Sequence, residues 1–453
     1  MTVFSNLLRR SIPYRNLFFF RTAIAITYLW VASDFYTINQ TKIHDEDFRD
    51  LTPAPAFESF VADPGWNHWL GHELTLLTNP ATFQWILLGS IPVALCFAIG
   101  RIPRICAAGL SLMMVLFGAC APLFQSAADA WLFWVLFLVL WAPTDPPLTV
   151  RLWRENPAVE SRYAALVVFL SFTVYFFAGC SKLVLGTHQW LAGTALQNIV
   201  FDPSVREAFR GMIVPHWISL LLCYYTLFQR LIVPFFFYMR RPWQIAAIII
   251  LGTMHVGYNI LMFVSIFPAM GLASLLLIAT TIPHPYPAQV SRWNWLWRIP
   301  GTTAIVLMTV MPAIQIVSQS SDRYTYMAQA IPRWSFAFYY PLRWEMFAYG
   351  GNRDRDTWQF LVVKNHKEVI DVTHIVDHHL PPVWRARFYR DSLDRDAYSL
   401  WAMPGMPIKR TEMSFQLYLF ITQNIYIEEG GPKALFITDS HVRFQCGDDK
   451  IFR

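Results

Sequence analysis

A lysine at the end of an apolar segment is the residue of this chain best suited to chemistry. It lies in the stretch from Tyr175 to Leu183, which reads Tyr-Phe-Phe-Ala-Gly-Cys-Ser-Lys-Leu, and Trp190 and Gly193 follow shortly after. Ionisable side chains are costly inside a membrane and mark functional sites there. As a neutral amine such a lysine can accept a proton from a substrate, so Lys182 is a candidate general base. The alternative is a lysine whose ammonium reaches outward to the lipid headgroups.

Polar residues recur on the helix face that carries this lysine. Steps of four, three and four residues separate Ser171, Tyr175, Ala178 and Lys182, which is the spacing of a single helix face. Such a stripe must face protein or water rather than lipid. We therefore expect an outward-opening cavity beside Lys182, with Tyr175 and Trp190 among its substrate-binding residues.

A second polar face lies in a later apolar segment. His255 is followed by Tyr258 and Asn259 at three and four residues, which places an imidazole, a phenol and an amide on one side of a helix. A histidine at that depth needs a partner. One interpretation is proton transfer or substrate orientation near Lys182, with Tyr258 and Asn259 as binding residues. The other is a structural hydrogen bond between two helices.

Arg230 lies deeper, beside Gln229. It is about ten residues from Arg241, which is on the order of 15 Å along a helix. It could bind a lipid or quinone headgroup, be neutralised by backbone carbonyls, or extend inward to the membrane surface.

Metal and disulfide chemistry have little support in the sequence. The six cysteines form no CxxC pair or metal-ligand spacing. Neither His68 and His72 with Glu73, nor the histidines around Asp377, fit a zinc signature. We predict no metal site.

The composition is that of a membrane protein. Of 453 residues, 55% are hydrophobic and 15% are charged, with a mean hydropathy of +0.35, whereas soluble domains carry about 25% charged residues. A membrane-spanning helix needs about 20 apolar residues. Nine segments qualify: 17–37, 81–100, 105–124, 127–145, 163–182, 215–238, 244–262, 264–282 and 299–318.

The arginines between these segments predict the orientation. Basic residues concentrate in cytoplasmic loops, and alternate loops of this chain are rich in arginine. With the N-terminus in the cytoplasm, residues 319–453 lie on the periplasmic, extracellular or luminal side. The cytoplasmic arginines are then Arg9, Arg10, Arg15, Arg101, Arg104, Arg151, Arg154, Arg162, Arg240, Arg241, Arg292 and Arg298.

The tail is polar enough to form a small extramembrane α+β domain. Residues 358–363 and 369–373 predict a β-hairpin, and residues 434–438 and 441–444 predict two further strands. Residues 413–427 are ambiguous between helix and strand, and we expect a helix. The fold class is therefore an α-helical polytopic membrane domain, residues 1–318, followed by an α+β domain, residues 319–453.

Three blocks of sequence resemble the vitamin K-dependent γ-carboxylase-like family, whose bacterial members carry the horizontally transferred transmembrane (HTTM) domain. The first is the Lys182 block with its Trp and Gly. The second runs from His255 through Phe267 to Ala273. The third is Trp344-Glu345-Met-Phe, which is similar to the element that begins the family's luminal region. Their order and spacing, over residues 163–347, carry the resemblance.

The resemblance implies a reaction and roles for these residues. The family's matching lysine deprotonates a reduced quinone such as vitamin K hydroquinone, which with oxygen becomes the base that removes a glutamate proton before carbon dioxide adds. Lys182 would be that base, His255 a residue of the catalytic cavity, and Glu345 a binding residue. One position departs from the pattern: the family's carboxylases have an Asn-His pair before the fourth span, where this chain reads Ser-Ala-Ala-Asp-Ala-Trp from Ser126 to Trp131.

Two functions of different classes follow. The first is a membrane enzyme that uses Lys182 as a base on a lipid-soluble substrate, with a quinone as its cofactor. The second is a non-catalytic membrane protein whose helices bind lipid or quinone and whose outer domain binds a protein partner, for instance around His378–Pro382. The sequence has no internal repeat or paired broken helices that would indicate a transporter.

Overall fold

The structure is a computed structural model that describes most of the apolar part of the chain and six strands of the tail. The described residues are 10–44, 79–120, 127–141, 148–200, 205–206, 208–209, 212–262, 264, 266–283, 303–314 and 316, with strands at 358–364, 368–371, 415–421, 434–438, 441–445 and 451–452. Residues 45–78 of the predicted first outer loop, the element at Trp344–Phe347 and the histidines near Asp377 lie outside these residues.

Twelve α-helices occur in the described part of the apolar region. In chain order they are α1 (Tyr14–His44), α2 (Pro80–Ala98), α3 (Pro103–Cys120), α4 (Ala127–Trp141), α5 (Val150–Glu155), α6 (Arg162–Leu185), α7 (Thr187–Leu191), α8 (Ala195–Ile199), α9 (His216–Leu231), α10 (Arg241–Leu261), α11 (Phe267–Thr280) and α12 (Thr303–Ile314).

Several of these helices are apolar enough to cross a membrane. By length and composition, five of the described spans qualify: Tyr14–Gln40, Pro80–Ala98, Arg162–Val184, His216–Tyr238 and Arg241–Leu261. Four shorter apolar helices, α3, α4, α11 and α12, overlap the remaining predicted segments. The chain is thus a helical protein with the features of a multi-pass integral membrane protein, and a count of nine crossings stays a prediction.

Local chemistry sets where the helices begin. The Asn79 side chain accepts a hydrogen bond from the backbone of Ala81 at 3.0 Å and caps α2. Ser161 caps α6 in the same way through the backbone of Ala164. Such caps satisfy backbone N–H groups that have no partner within the helix.

A proline ends α9 earlier than the apolar pattern predicts. The predicted segment 215–238 contains α9 to Leu231 and then a 3₁₀ helix, Val233–Tyr238. Pro234 lies in the first turn of this 3₁₀ helix. Proline lacks the N–H that an α-helix needs and its ring collides with the preceding turn, so the chain changes helix type after Leu231.

A small antiparallel sheet joins distant parts of the chain at one end of the helices. Strand β1 (Arg10–Pro13) lies between β2 (Ala158–Glu160) and β3 (Ile282–Pro283). These strands adjoin the start of α1, the start of α6 and the end of α11, so all three helix ends lie on one side of the molecule. We call this end the strand face. The predicted topology assigns all three ends to the same side of the membrane.

Helix α6 lies at the centre of the bundle. Of the residues in an apolar 18-residue stretch of α6, 78% are buried, against 28% in the corresponding stretch of α10. Helix α6 packs against α4, α9, α11 and the 3₁₀ helix. Helix α6 carries Tyr175 and Lys182, so the predicted polar stripe lies in the protein interior.

The tail contains a six-stranded antiparallel sheet in the order β5-β4-β6-β7-β8-β9. Strands β4 (Trp358–Lys364) and β5 (Glu368–Asp371) form the predicted hairpin, with Val362 opposite Ile370. Strands β7 (Ala434–Thr438) and β8 (His441–Gln445) pair as neighbours, and β9 (Ile451–Phe452) lies at the edge.

The expected helix at 413–427 is wrong. Residues Phe415–Ile421 form strand β6, which pairs along its whole length with β4. The segment is rich in aromatic residues, which suit a pleated surface, and a partner strand of equal length decides between the two states.

Candidate functional site

Tyr175 and His255 meet in the interior of the helical bundle. The Tyr175 hydroxyl lies 2.6 Å from His255 Nε2, and both side chains are 0% exposed. This contact joins α6 to α10, so His255 has the interhelical partner that its depth requires. Nδ1 of the imidazole has no hydrogen-bond partner among the described residues. In either tautomer one ring nitrogen is therefore left to serve another group.

Arg230 extends into the same cluster from α9. Its guanidinium carbon lies 5.5 Å from the centre of the Tyr175 ring and 5.8 Å from the centres of the Tyr258 and Phe267 rings. Nη2 donates to the Tyr258 hydroxyl at 3.3 Å. With 2% of its surface exposed, Arg230 does not extend to the membrane surface. Aromatic faces stabilise a cation that has left water, and here they replace the backbone carbonyls considered as an alternative.

Trp131 completes the cluster from α4. Its ring centre lies 5.8 Å from that of Tyr175, 5.7 Å from that of Phe267 and 6.5 Å from that of His255. The indole Nε1 is buried without an acceptor among the described residues, as are Nε and Nη1 of Arg230. We call these five residues, Trp131, Tyr175, Arg230, His255 and Phe267, together with Tyr258, the aromatic–arginine cluster.

The cluster therefore has an excess of hydrogen-bond donors. An indole N–H and a guanidinium N–H can only donate. Buried donors without acceptors are costly, and the great majority in folded proteins have a partner. The arrangement accordingly fits a ligand that brings oxygen acceptors into an aromatic setting.

Lys182 lies on the same face of α6, two turns beyond Tyr175. Its side chain is 2% exposed, and Nζ lies 5.0 Å from the centre of the Trp190 ring. Trp190 is itself buried, on the short helix α7. Lys182 is therefore held in the protein against an indole, and the alternative of a lysine that reaches the lipid headgroups is wrong. Two turns correspond to about 10 Å along the helix axis. Because His255 contacts Tyr175, the imidazole lies level with Tyr175 rather than with Lys182.

The two glycines of the lysine block allow the helices to approach closely. A Cβ on Gly179 would lie 2.8 Å from the Cβ of Arg230, so the glycine permits the contact between α6 and α9 that brings Arg230 to the cluster. Gly193 has a φ of +74°, and a Cβ there would lie 2.6 Å from the Cα of Leu220. Both the backbone conformation and the space at this position require glycine. The Gly193 carbonyl also accepts a hydrogen bond from the Ser219 hydroxyl.

A third glycine makes room for the histidine. A Cβ on Gly271 of α11 would lie 2.1 Å from both Cε1 and Nε2 of His255. The imidazole thus occupies the space that any other residue at this position would fill, and Gly271 determines where the ring sits.

Not every predicted residue joins the cluster. Asn259 is exposed, and its backbone carbonyl accepts a hydrogen bond from Arg206 at 3.0 Å. Glu345 lies outside the described residues. Within the part of the chain that the structure covers, no three His, Cys, Asp or Glu side chains come close enough to hold a metal ion.

No protein-family model, curated protein or solved structure matches the chain. The resemblance to the γ-carboxylase-like family therefore stays a prediction from the residues, and the function is argued from the geometry of the site.

Proposed function

We propose that the chain is a membrane enzyme that binds a reduced quinone, or a similar lipid-soluble substrate, at the aromatic–arginine cluster and uses Lys182 as the base. The proposal includes nine membrane crossings, a cytoplasmic N-terminus and an outer C-terminal domain, as the distribution of arginines predicts. The observation that carries it is the set of buried donors, Arg230 Nε and Nη1 and Trp131 Nε1, among aromatic rings.

The chemistry of the donors fits a quinone. A quinone ring is flat and apolar, and its oxygens accept hydrogen bonds. The cluster offers aromatic faces for the ring and N–H groups for its oxygens, while the positive charge of Arg230 favours an oxygen that becomes negative as it loses its proton. When bound, a reduced quinone would supply the acidic hydroxyl and the electrons that reduce oxygen.

The chain's own residues would divide the remaining work. Lys182 accepts the proton as a neutral amine, and the face of the Trp190 ring then stabilises the ammonium that results. Tyr175 holds His255 through Nε2, which leaves Nδ1 to exchange a proton or orient the ligand. Burial of both groups keeps bulk water away from the reacting atoms.

Measurements of quinol binding and of turnover distinguish an enzyme from a non-catalytic quinone-binding protein. Purified full-length protein would be titrated with a reduced quinone, and the same samples would be assayed for oxygen-dependent quinol oxidation. We expect Lys182→Ala to bind the quinol with nearly unchanged affinity and to lose turnover, because the lysine acts after binding. Arg151→Ala is the matched control, since this basic side chain is 83% exposed on α5 and should change neither quantity.

Two results would overturn the proposal. Turnover by Lys182→Ala at the wild-type rate would remove the lysine from the chemistry. Binding without turnover by the wild type would instead favour the second function, a lipid- or quinone-binding protein whose outer domain recognises a partner.

A further inference from the structure

Arg21 lacks the protein partners that the other two buried arginines in the described region possess. Arg10 donates to the Thr281 hydroxyl at 3.0 Å and to the Phe237 carbonyl at 2.8 Å. Arg230 lies among aromatic rings. Arg21, at 2% exposure, has no hydrogen-bond partner on Nε, Nη1 or Nη2 among the residues that the structure describes. An isolated buried cation is among the most unfavourable groups in a folded protein, so this guanidinium requires an anion.

The guanidinium of Arg21 lies against an unusual turn. A Cβ on Gly100, at the end of α2, would lie 2.7 Å from Nη1 and 2.9 Å from Cζ of Arg21. Gly100 has a φ of +72°, and Ile102 in the same turn has a φ of +41°, which is rare for a β-branched residue. The guanidinium therefore lies directly against the Gly100 backbone, in the space that any other side chain at this position would occupy.

This turn belongs to the strand face. The Ile99 carbonyl accepts a hydrogen bond from the backbone of Leu148, just before α5. The other end of the α5 segment reaches α1, because Arg15 donates through Nε to the Trp153 carbonyl at 2.7 Å. Arg21 is two turns into α1, or about 10 Å from its start. A membrane would place this region near its headgroups.

The surroundings of Arg21 combine positive charge with exposed apolar side chains. Arg101 and Arg104 lie in the same turn, and Arg151 and Arg154 lie on α5. Together they make the region attractive to anions. Ile99 and Ile102 of the turn are exposed at 41% and 63%, and Ile105, in the first turn of α3, is exposed at 68%. They offer a surface for acyl chains next to the positive charge.

We propose that Arg21 and the turn at 99–104 form a binding site for a phosphate group, separate from the quinone site. The planar guanidinium matches two phosphate oxygens at once, which makes arginine the preferred residue for such recognition. The exposed isoleucines identify a phospholipid of the adjoining leaflet as the source of the phosphate, and free phosphate is the other source of the same chemistry.

The test compares three probes on the purified full-length protein in detergent. Native mass spectrometry would measure the binding of phosphatidic acid, of diacylglycerol with the same acyl chains, and of inorganic phosphate. We expect the wild type to bind phosphatidic acid at least about tenfold more tightly than diacylglycerol. Arg21→Met should remove this preference without changing the affinity for diacylglycerol. Arg240→Met, which removes an exposed arginine outside this turn and outside α5, should keep it.

Inorganic phosphate distinguishes the two sources. If it binds alone with the same dependence on Arg21, the site takes free phosphate; if it neither binds nor competes, the site takes the lipid headgroup. Arg21→Gln, which keeps a hydrogen-bonding side chain, replaces Arg21→Met if that variant does not fold. An unchanged preference for phosphatidic acid in a folded, uncharged Arg21 variant would overturn the proposal. So would equal binding of phosphatidic acid and diacylglycerol by the wild type, a comparison that needs no variant.

Discussion

Gly271→Ala should displace His255 and break its contact with Tyr175. The new Cβ would lie 2.1 Å from Cε1 and Nε2 of the imidazole, whereas carbon atoms in contact are about 3.5–4.0 Å apart. The ring must therefore move by about 1.4 Å or more. The Tyr175–His255 contact is 2.6 Å long and hydrogen bonds weaken beyond about 3.2 Å, so a shift of this size breaks it unless Tyr175 follows.

The expected cost comes from two sources. Forcing a methyl group into a packed interior typically costs about 1–3 kcal/mol, and leaving a buried polar group without its partner costs about 1–3 kcal/mol more. We therefore expect Gly271→Ala to lower the free energy of unfolding by about 2–6 kcal/mol. Denaturant titration in mixed micelles, followed by helical circular dichroism, would measure it.

Two comparisons isolate the clash. Gly252→Ala is the matched control, because a Cβ at this position on α10 meets nothing within 4 Å; it should be neutral or stabilise by up to about 1 kcal/mol through helix propensity. In a His255→Ala background the imidazole is gone, and Gly271→Ala should cost almost nothing. If Gly271→Ala cost the same in both backgrounds, the proposed position of the imidazole would be refuted.

Two further variants test other parts of the site. Gly193→Ala should destabilise the protein by about 1–3 kcal/mol, because it combines a φ of +74° with a close approach to the Leu220 backbone; thermal unfolding measures this, and a wild-type melting temperature would contradict it. Trp131→Phe keeps an aromatic ring but removes the Nε1 donor, so quinol affinity should fall roughly two- to tenfold. The exposed Trp85 (74% exposed) provides the control, Trp85→Phe, and equal affinities of the two variants would argue against a ligand at Trp131.

The sequence predicted the polar faces better than it predicted their partners. Helical spacing placed Ser171, Tyr175 and Lys182 on one buried stripe, which the structure confirms. The same spacing grouped His255 with Tyr258 and Asn259. Tyr258 joins His255 in the cluster, whereas Asn259 is exposed. Periodicity defines a face to within about one residue, and the packing of neighbouring helices decides which edge of that face is buried.

The sequence alone could not decide whether Arg230 and Lys182 turn into the protein or extend to the membrane surface. Arg230 faces inward because Gly179 allows α6 and α9 to approach within contact of its Cβ. Lys182 turns into the protein because Trp190, on the next short helix, lies beside it. Both depend on distances between helices, which a sequence read one segment at a time does not contain.

Trp131 and Phe267 were missed as members of the site for a related reason. An aromatic residue in an apolar helix carries no signal that separates a ligand contact from ordinary packing. In Trp131, only the buried indole N–H without an acceptor marks the difference, and burial of that atom follows from the three-dimensional arrangement alone.

The most direct test of the central claim is oxygen-dependent epoxide formation from reduced vitamin K and from a native quinol. Purified wild-type protein would be compared with folded Lys182→Ala at equal concentration. We expect turnover of at least one quinol by the wild type and its loss in Lys182→Ala. Absence of turnover by the wild type with either quinol would contradict a quinone-activating enzyme and leave the aromatic–arginine cluster as a binding site without catalysis.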